Sequence, residues 1–313
     1  MDILLACYNG ARYLPQLLSS IEAQTHQSWT LWARDDGSFD DTARLLATAA
    51  GADSRVRLLH SGGQPLGATR AFGWLMDHVP GDPQYLMFAD QDDVWLPMKI
   101  ELTLAAMRAV ERVERGPVLV HTDLVVVDEQ LKPVHPSFWR YSGADPEPAT
   151  LRRLIVQNVV TGASAMVNAA LRSEVGTMPA GALHHDWWYA CVAAARGRIV
   201  AVREPTILYR QHGANVVGAV RRMGHGWQEL PARVARAMRE STRLRATLAL
   251  AASQASAFLE AHGSQLPQPD RDFLDAFSRI PQLGYLQRKM AIVRLRLRRE
   301  DGLLRNLGVL LRG

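Results

Sequence analysis

The stretch "YLMFADQDDVWLP", residues 85–97, decides the fold, because it runs a short apolar segment directly into a cluster of carboxylates. The segment "YLMFA" has the length and composition of a buried strand. Asp90, Asp92 and Asp93 follow it within four residues. Carboxylates this close repel one another and raise one another's pKa unless a positive charge lies among them. The stretch therefore predicts a buried strand that ends at a cation-binding site.

Strands and helices alternate on both sides of this stretch, throughout roughly the first 135 residues. Apolar runs typical of strands are followed by segments with apolar residues at helical spacing. The predicted strands are "DILLACYN" (2–9), "WTLWARDDGS" (29–38), "VRLLHS" (56–61) and "YLMFAD" (85–90). The predicted helices are "YLPQLLSSIEAQT" (13–25), "SFDDTARLLATAAG" (38–51), "GATRAFGWLMDHV" (67–79) and "PMKIELTLAAMRAVERVER" (97–115). Four such alternations predict an α/β fold with a mostly parallel sheet flanked by helices.

Polar residues follow three of the predicted strands at the points where the strands end. They are Tyr8 and Asn9, then Asp35 and Asp36, then the 90–93 cluster. Singly, each is typical of an ordinary turn or helix cap. Because ligands of such sheets bind at the carboxyl ends of the strands, we expect the three ends to form one binding site.

The pattern changes from about residue 117. Residues 117–131 read as a strand or hairpin, 158–168 as another strand, 184–197 as a helix closed by Gly197, and 198–218 as strands that run into a loop. Beyond about residue 220 the chain is rich in Ala, Leu and Arg, which predicts a helical region interrupted at "HGSQLPQPD" (262–270).

Composition and charge narrow the class of protein. The chain has 313 residues, of which 48% are hydrophobic and 21% are charged, values typical of a folded globular protein. Cys7 and Cys191 lie far apart without metal-ligand spacing, which favours a reducing compartment. We expect neither a signal peptide nor a transmembrane helix, because the N-terminus enters a strand at once and no run of about 18 apolar residues occurs.

The acidic cluster favours a hard divalent cation. Mg²⁺ and Mn²⁺ take oxygen ligands, and Mg²⁺ is often held by one or two carboxylates together with substrate phosphates. Asp90 and Asp92 form a D-x-D pair with this character. The alternative is a solvated acidic turn that caps the helix beginning near Pro97.

Several segments, taken in chain order, resemble the family 2 glycosyltransferases of bacteria, and most of all the rhamnosyltransferase-type members of polysaccharide assembly. The segments are "LLACYNGARYLPQLLSSIEAQT", "WARDDGSFDDT", "FADQDDVWLPMKIE", "TGASAMVN", "HHDWWYACVAAARG" and "YRQHGANVVG". The resemblance implies a GT-A fold, a nucleotide-diphosphate sugar donor, Mg²⁺ or Mn²⁺, and inversion at the anomeric carbon. It divides the chain into a catalytic domain, residues 1–220, and a helical C-terminal region, residues 221–313.

The same resemblance assigns roles to individual residues. The expected nucleotide-sugar-binding residues are Ala6, Tyr8, Asn9, Asp35, Asp36, Arg70, Asp90 and Arg210. Asp36 matches the aspartate that recognises the base, with Asp35 as its support. The expected metal ligands are Asp92, Asp90 and His212, although His212 also fits an ordinary loop residue before a glycine.

Asp186 in "HHDWW" matches the catalytic base. A sugar hydroxyl is a poor nucleophile, so a carboxylate must take its proton as the oxygen attacks C1. An N-cap of the following helix is the structural alternative. Trp187, Trp188 and His185 are expected acceptor-binding residues, since sugar faces stack on indole rings, although tryptophans at helical positions also fit a core.

The net charge of +5 is concentrated in the C-terminal tail, where residues 285–313 contain eight basic and two acidic residues. A helical projection puts one apolar stripe beside one basic stripe. The apolar stripe is Val293, Leu297, Leu304, Leu307 and Leu311, and the basic stripe is Arg294, Arg298, Arg305 and Arg312. This pattern fits a helix on an anionic membrane, and equally a helix packed on the catalytic domain with a solvated basic face. We therefore expect a cytoplasmic protein, with peripheral membrane contact as one alternative and no nucleic-acid partner.

The function expected from these features is the inverting, metal-dependent transfer of a hexosyl group to a surface-polysaccharide or lipid-linked glycan, with dTDP-rhamnose as the leading donor. One rival is a sugar-phosphate nucleotidyltransferase, which would need a Gly-rich phosphate loop after the first strand, and "ACYNGARYL" supplies none. Another is a non-catalytic nucleotide-sugar or carbohydrate-binding module, against which the intact aspartates argue.

Overall fold

The computed structural model describes residues 1–59, 64–213, 230–295 and 297, with side chains in the helix that starts at residue 230 described from residue 246. The described residues form two compact units. The first unit comprises those within Met1–Ser142, Val160–Met178 and His184–Val220, and the second those within Gly143–Val159, Pro179–Leu183 and Arg221–Gly313. Our functional division of the chain at residue 220 stays a prediction.

The first unit is built on one sheet, in which the described residues form nine strands. They are β1 (Asp2–Cys7), β2 (Thr30–Asp35), β3 (Val56–Leu58), β4 (Tyr85–Asp90), β5 (Val94–Trp95), β6 (Val118–Val127), β7 (Pro133–His135), β8 (Ala165–Asn168) and β9 (Arg198–Arg210). The strand order is β3-β2-β1-β4-β8-β6-β9-β5, with β7 paired to β6. Strands β3, β2, β1 and β4 are mutually parallel, whereas β8 is antiparallel to both of its neighbours.

The helices of this unit follow the strands and cover the sheet. They are α1 (Leu14–Glu22), α2 (Thr42–Ala52), α3 (Ala68–His78), α4 (Lys99–Glu111), α5 (Phe138–Ser142), α7 (Ala169–Val175) and α8 (His185–Arg196), with α6 (Leu151–Val156) assigned to the second unit. The four strand and helix alternations predicted from the sequence are all present. The predicted α/β fold with a mostly parallel sheet and helical flanks is confirmed.

The centre of the sheet forms because β1 and β4 are apolar on both faces. Ile3, Leu4 and Leu5 are completely buried, as are Leu86 to Ala89. A strand covered by helices on both faces has no reason to alternate polar and apolar residues, which explains the continuous apolar runs in the sequence.

Two elements differ from the sequence-based expectation. Only the last four residues of the stretch 158–168 form a strand, β8, preceded by a short 3₁₀ turn at Gly162–Ser164. Residues 198–210 form one long strand, β9, rather than several. Its pairing with β6 shifts register around Asp123, opposite Pro205, and such an irregularity lets a strand keep a proline that cannot donate a ladder hydrogen bond.

The second unit is helical. It contains α6, α9 (Leu230–His262), α10 (Gln268–Ser278) and α11 (Tyr285–Arg294). Arg152 on α6 forms an ion pair with Asp270 on α10 at 2.8 Å, and Gln254 on α9 accepts a hydrogen bond from the Leu183 N–H at 3.0 Å. None of the helices among the described residues is long and apolar enough to cross a bilayer. Of the amphipathic pattern predicted for the tail, residues 304–312 and Arg298 lie outside the described residues.

Candidate active site

Three parallel strands end side by side at one edge of the sheet. The register pairs Ala6 of β1 with Asp90 of β4, and Cys7 of β1 with Asp35 of β2. The residues that follow these strands therefore leave the sheet at neighbouring points. This is the convergence that the polar strand ends predicted.

The loop after β1 is held by Gln91, the middle residue of the D-x-D sequence. Its side-chain amide makes two hydrogen bonds to the backbone of Tyr8: Oε1 accepts from the Tyr8 N–H at 2.9 Å, and Nε2 donates to the Tyr8 carbonyl at 2.9 Å. Gln91 reaches this position across Gly10, where a Cβ would overlap with Oε1 and lie 2.5 Å from Cδ. Sequence reasoning did not predict a role for Gln91. The signal in the sequence that could have indicated this role is Gly10, because a larger residue there would overlap with the Gln91 side chain.

The loops after β1 and β2 are joined by a second set of hydrogen bonds. The Asn9 N–H donates to Oγ of Ser38 at 2.9 Å, and Ser38 in turn donates to Asp35 from both its N–H and its hydroxyl. Oδ1 of Asn9 accepts from the Phe39 N–H at 2.8 Å. Asn9 has a φ of 49°, a conformation that asparagine adopts more readily than most residues. Tyr8 is left 47% exposed at the rim.

Asp36 is buried and clamps the segment before α3. Its carboxylate accepts hydrogen bonds from the guanidinium of Arg34 and from the N–H groups of Leu66 and Gly67, the last at 2.7 Å. Arg34 is itself buried, with its guanidinium over the ring of Trp74. In this structure Asp36 fixes the loop geometry. The role of Asp36 in reading a base stays a prediction.

The remaining predicted nucleotide contacts lie on either side of these loops. Ala6 is the residue of β1 that pairs with Asp90, and Arg70 is exposed in the first turn of α3.

Asp92 and His212 meet although they lie 120 residues apart in the sequence. Nε2 of His212 is 2.8 Å from Oδ2 of Asp92, and both side chains are mostly buried. The imidazole lies against the ring of Tyr13, with centroids 4.9 Å apart. The antiparallel pairing of β9 with β5 produces this contact, because it brings the residues after β9 back to the start of β5.

Arg210 supports this corner from inside the protein. Its Nε donates to the carbonyl of Asp92 at 2.8 Å, and the rest of the guanidinium bonds to the carbonyl of Glu129 and the side chain of Gln16. The side chain is buried and lies over the ring of Tyr13. Arg210 thus holds the metal-ligand candidates in place. Its role in binding the nucleotide sugar stays a prediction.

Asp186 lies at the start of α8. Its Oδ2 accepts from the Gly162 N–H at 3.0 Å, and its Oδ1 from the Trp187 N–H at 2.7 Å. The N-cap residue is His184, so the N-cap alternative for Asp186 is wrong, and Asp186 occupies the first turn. There its charge is favoured by the helix dipole. Gly162 precedes β8, and the antiparallel pairing of β8 with β4 brings it toward the end of β4.

The charges of the site act on one another. Burial, followed by the negative charges of Asp92 and Asp186, raises the pKa of Asp90 to about 7. Asp186, from a distant part of the sequence, therefore lies close enough to Asp90 to affect its ionisation. The structure thus brings His212 to Asp92 and places Asp186 within electrostatic reach of Asp90.

A buried lysine lies beneath the cluster. Burial, followed by the charges of Asp92 and Asp90, raises the pKa of Asp93 well above its usual range. Burial also lowers the pKa of Lys99 to about 7, while the charge of Asp93 opposes this effect. The ammonium lies 4.6 Å from the ring centroid of Trp95. Sequence reasoning missed Lys99, which in the sequence looks like any helix-surface lysine.

The three residues expected to bind an acceptor are buried. Trp188 is completely buried, Trp187 is 7% exposed, and His185 is 8% exposed with its ring stacked on Phe72. Trp188 has no surface to offer a sugar, so its predicted acceptor contact is corrected to a core role. Burial lowers the pKa of His185 to about 4, against the opposing effect of Asp186, so this imidazole is neutral at pH 7.

The candidate metal ligands suit a hard divalent cation in their chemistry, although they are few. Carboxylate oxygens and an imidazole nitrogen are suitable ligands for Mn²⁺. Among the described residues no three His, Cys, Asp or Glu side chains are grouped so as to hold an ion by themselves. A site with two protein ligands, completed by substrate phosphates and water, is typical of Mg²⁺.

Comparison with known proteins places the chain within a family. Residues 2–166, more than half of the chain, match the family described as Glycosyl transferase family 2. The chain is 29% identical over 107 residues to WfgD of Escherichia coli, a UDP-Glc:alpha-D-GlcNAc-diphosphoundecaprenol beta-1,3-glucosyltransferase; the match covers 34% of this chain and 40% of WfgD. It is 27% identical over 142 residues to an uncharacterized glycosyltransferase of Rickettsia felis, covering 44% of this chain and 22% of that protein. The matches thus span well under half of these curated relatives.

Solved structures agree with the fold. Residues 1–349 of Staphylococcus aureus TarS, crystallised with UDP-GlcNAc, align with a TM-score of 0.55 and 14% sequence identity, over 94% of this chain and 80% of that one. At this identity the likeness supports the fold alone.

Proposed function

Since the chain belongs to glycosyl transferase family 2, we propose that it transfers a hexosyl group from a nucleotide-diphosphate sugar to a hydroxyl of a surface-polysaccharide or lipid-linked glycan, with inversion at the anomeric carbon. The observation that supports the proposal is the placement of Asp186, bound to the Gly162 N–H just before β8, within electrostatic reach of Asp90 at the carboxyl end of β4. Inversion needs one base on the face of the sugar opposite the leaving group. It needs no covalent nucleophile.

Asp186 is the proposed base. The N–H groups of Gly162 and Trp187 fix its carboxylate at the start of a rigid helix, so that an acceptor hydroxyl meets it in a defined orientation. As the acceptor oxygen forms its bond to C1, its proton passes to Asp186 and the nucleoside diphosphate departs with the electrons of the broken C1–O bond. Fixing the reacting groups in this way supplies much of the catalytic effect of an enzyme.

Asp92 and His212 are the two residues that would hold Mg²⁺ or Mn²⁺, and Asp90, whose charge interacts with that of Asp92, is proposed to support them. Such an ion would neutralise negative charge on the diphosphate leaving group. Tyr8 and Asn9, held by Gln91 and Ser38, are proposed to form the nucleotide side of the pocket.

The donor and acceptor are proposed first by chemical class, and the donor is then proposed by identity. WfgD is described as using UDP-glucose as donor and a diphosphoundecaprenol-linked GlcNAc as acceptor, which supports a nucleotide-sugar donor and a lipid-linked acceptor here. We propose dTDP-rhamnose as the donor from the sequence resemblance, with UDP-glucose as the alternative that the relative supports. The buried free cysteines Cys7 and Cys191 favour the cytoplasm as the place of action.

A panel of nucleotide sugars tests this proposal. The full chain is incubated with each donor, with and without Mn²⁺, and release of the nucleoside diphosphate is measured. We expect metal-dependent turnover of one donor class, with Asp186→Asn retaining donor affinity and losing turnover. Asp82→Asn is the matched control, because Asp82 is exposed in the loop that precedes β4, at the opposite end of this strand from Asp90.

The two rival functions give other results, the first of them with a nucleoside triphosphate and a sugar phosphate as substrates in place of the nucleotide sugar. Pyrophosphate release from a nucleoside triphosphate and a sugar phosphate would identify a nucleotidyltransferase. Selective donor binding without turnover would identify a binding module. Full activity of Asp186→Asn would remove Asp186 as the base.

A further inference from the structure

The last described helix, α11, carries an apolar strip that faces solvent. Leu286 is 72% exposed, Met290 65% and Val293 59%. Ile292 on the same helix is 1% exposed and anchors the opposite side. The helix is therefore fixed by one apolar face and presents a second one outward. We call Leu286, Met290 and Val293 the outer strip.

The spacing of these residues makes the strip continuous. They lie at positions i, i+4 and i+7, which an α-helix places within an arc of about 60°. Large apolar side chains scattered singly over a surface are ordinary, whereas three in a row on one helix face form a patch. The strip differs from the one that the sequence suggested, because Leu297 of the predicted stripe is 8% exposed and packs inward.

Basic residues border the outer strip on both sides. At 100° per residue, Lys289 lies on one flank, between the strip and Tyr285, and Arg294 lies on the other. Nζ of Lys289 is 4.3 Å from the ring centroid of Tyr285, which is 56% exposed. The segment 285–294 contains no acidic residue. The outward side of α11 is thus apolar along its middle and cationic along both edges.

We propose that the outer strip of α11 lies in the headgroup region of an anionic bilayer, parallel to its surface. A helix with an apolar face bordered by lysine and arginine and an exposed tyrosine is suited to this position, because the apolar side chains enter the acyl boundary while the cations reach anionic headgroups. The charge on both flanks favours a lipid surface over the apolar face of another protein. With ten residues, α11 is about 15 Å long, enough to lie on a membrane and too short to cross one.

Vesicle sedimentation tests the proposal independently of catalysis. The full chain is spun with vesicles of phosphatidylcholine alone or of phosphatidylcholine mixed with phosphatidylglycerol. We expect binding to the mixed vesicles that weakens as salt is raised, because the electrostatic part of the attraction is screened. Leu286→Ser/Met290→Ser should bind the mixed vesicles roughly tenfold more weakly, and Lys289→Gln/Arg294→Gln should lose the preference for them.

Leu250→Ser is the matched control, since Leu250 is a 53% exposed leucine on α9 outside the outer strip. It should bind vesicles as the unmodified protein does, and all variants should keep the same thermal midpoint and donor affinity. Undiminished vesicle binding by Leu286→Ser/Met290→Ser would overturn the proposal by locating the contact elsewhere in the chain. So would a dimer that this variant converts to a monomer in the absence of vesicles, since the strip would then cover a second copy.

Discussion

Replacing Gly10 by alanine should weaken donor binding through Gln91 rather than through any contact of its own. The new Cβ would overlap with Oε1 of Gln91, the far end of a flexible side chain. The side chain can move away, but only by giving up its two hydrogen bonds to Tyr8. Gly10→Ala should therefore have the same effect as Gln91→Ala, and the double variant should be no worse than either.

The magnitude follows from the two bonds. A hydrogen bond between neutral groups contributes about 0.5–1.5 kcal/mol net, and the exposure of Tyr8 favours the lower half of that range. Losing both should cost about 1–2 kcal/mol of the free energy that keeps the loop in its binding conformation. Because apparent affinity scales with the fraction of molecules in the competent state, the donor Kd should rise by at most about 5- to 30-fold, the full factor applying when the loop leaves this conformation in most molecules.

This effect is measured by isothermal titration of the donor into four proteins: the unmodified protein, Gly10→Ala, Gln91→Ala and the double variant. The kcat at saturating donor is a second readout. We expect kcat to stay near the unmodified value, because Asp186 is fixed by other bonds. Gly51→Ala is the control, since its Cβ would meet nothing within 4 Å. Additive losses, with Gly10→Ala as harmful in the Gln91→Ala protein as alone, would refute the coupling between these two residues.

Three further predictions concern other parts of the molecule. His212→Ala should raise the Mn²⁺ concentration for half-maximal activity roughly tenfold, as loss of a metal ligand or its partner does, measured by metal titration. Gly162→Ala should lower kcat, measured by steady-state kinetics, and leave the donor Kd, measured by titration, unchanged. The reason is that the new Cβ would lie 2.8 Å from Nε2 of His185 and 3.2 Å from Cβ of Asp186. Burial lowers the pKa of His121 from 6.5 to about 4, so between these pH values the unfolded chain binds a proton at His121 and the folded chain does not. As the pH falls through this range, the free energy of unfolding should decrease by about 1.4 kcal/mol per pH unit. His121→Leu should make this decrease shallower, as measured by urea unfolding.

The sequence was sufficient for those parts of the fold that depend on local pattern. Strands β1 and β4 contain the uninterrupted apolar runs Ile3–Cys7 and Tyr85–Ala89 because both of their faces are covered, and these runs end in polar residues where the chain leaves the sheet. Parallel packing then required these ends to meet at one edge. The prediction of several strands in 198–218 was wrong, because residues 198–210 form the single strand β9 and Pro205 lies at a shift in its pairing with β6.

The rest of the site depends on contacts between distant residues, which a single sequence does not encode. Gln91 binds Tyr8 across 83 positions, and Asp186 binds Gly162 across 24. The side-chain direction of Arg210 is likewise set by tertiary packing around Tyr13. Trp188 looked available to a ligand because aromatic residues serve both cores and binding surfaces, and only burial separates the two uses.

The antiparallel placement of β8 beside β4 has a consequence for the stage of folding at which the chain becomes able to bind its donor and to catalyse transfer. The three neighbouring strand ends that are proposed to hold the donor lie within the first ninety residues, whereas the proposed proton acceptor is tied to Gly162, just before a strand that begins more than seventy positions later. A partly assembled chain would recognise its sugar nucleotide and be unable to activate an alcohol. Recovery of turnover after denaturation should therefore lag behind recovery of ligand recognition, because the later strand and the helix that carries Asp186 must first dock.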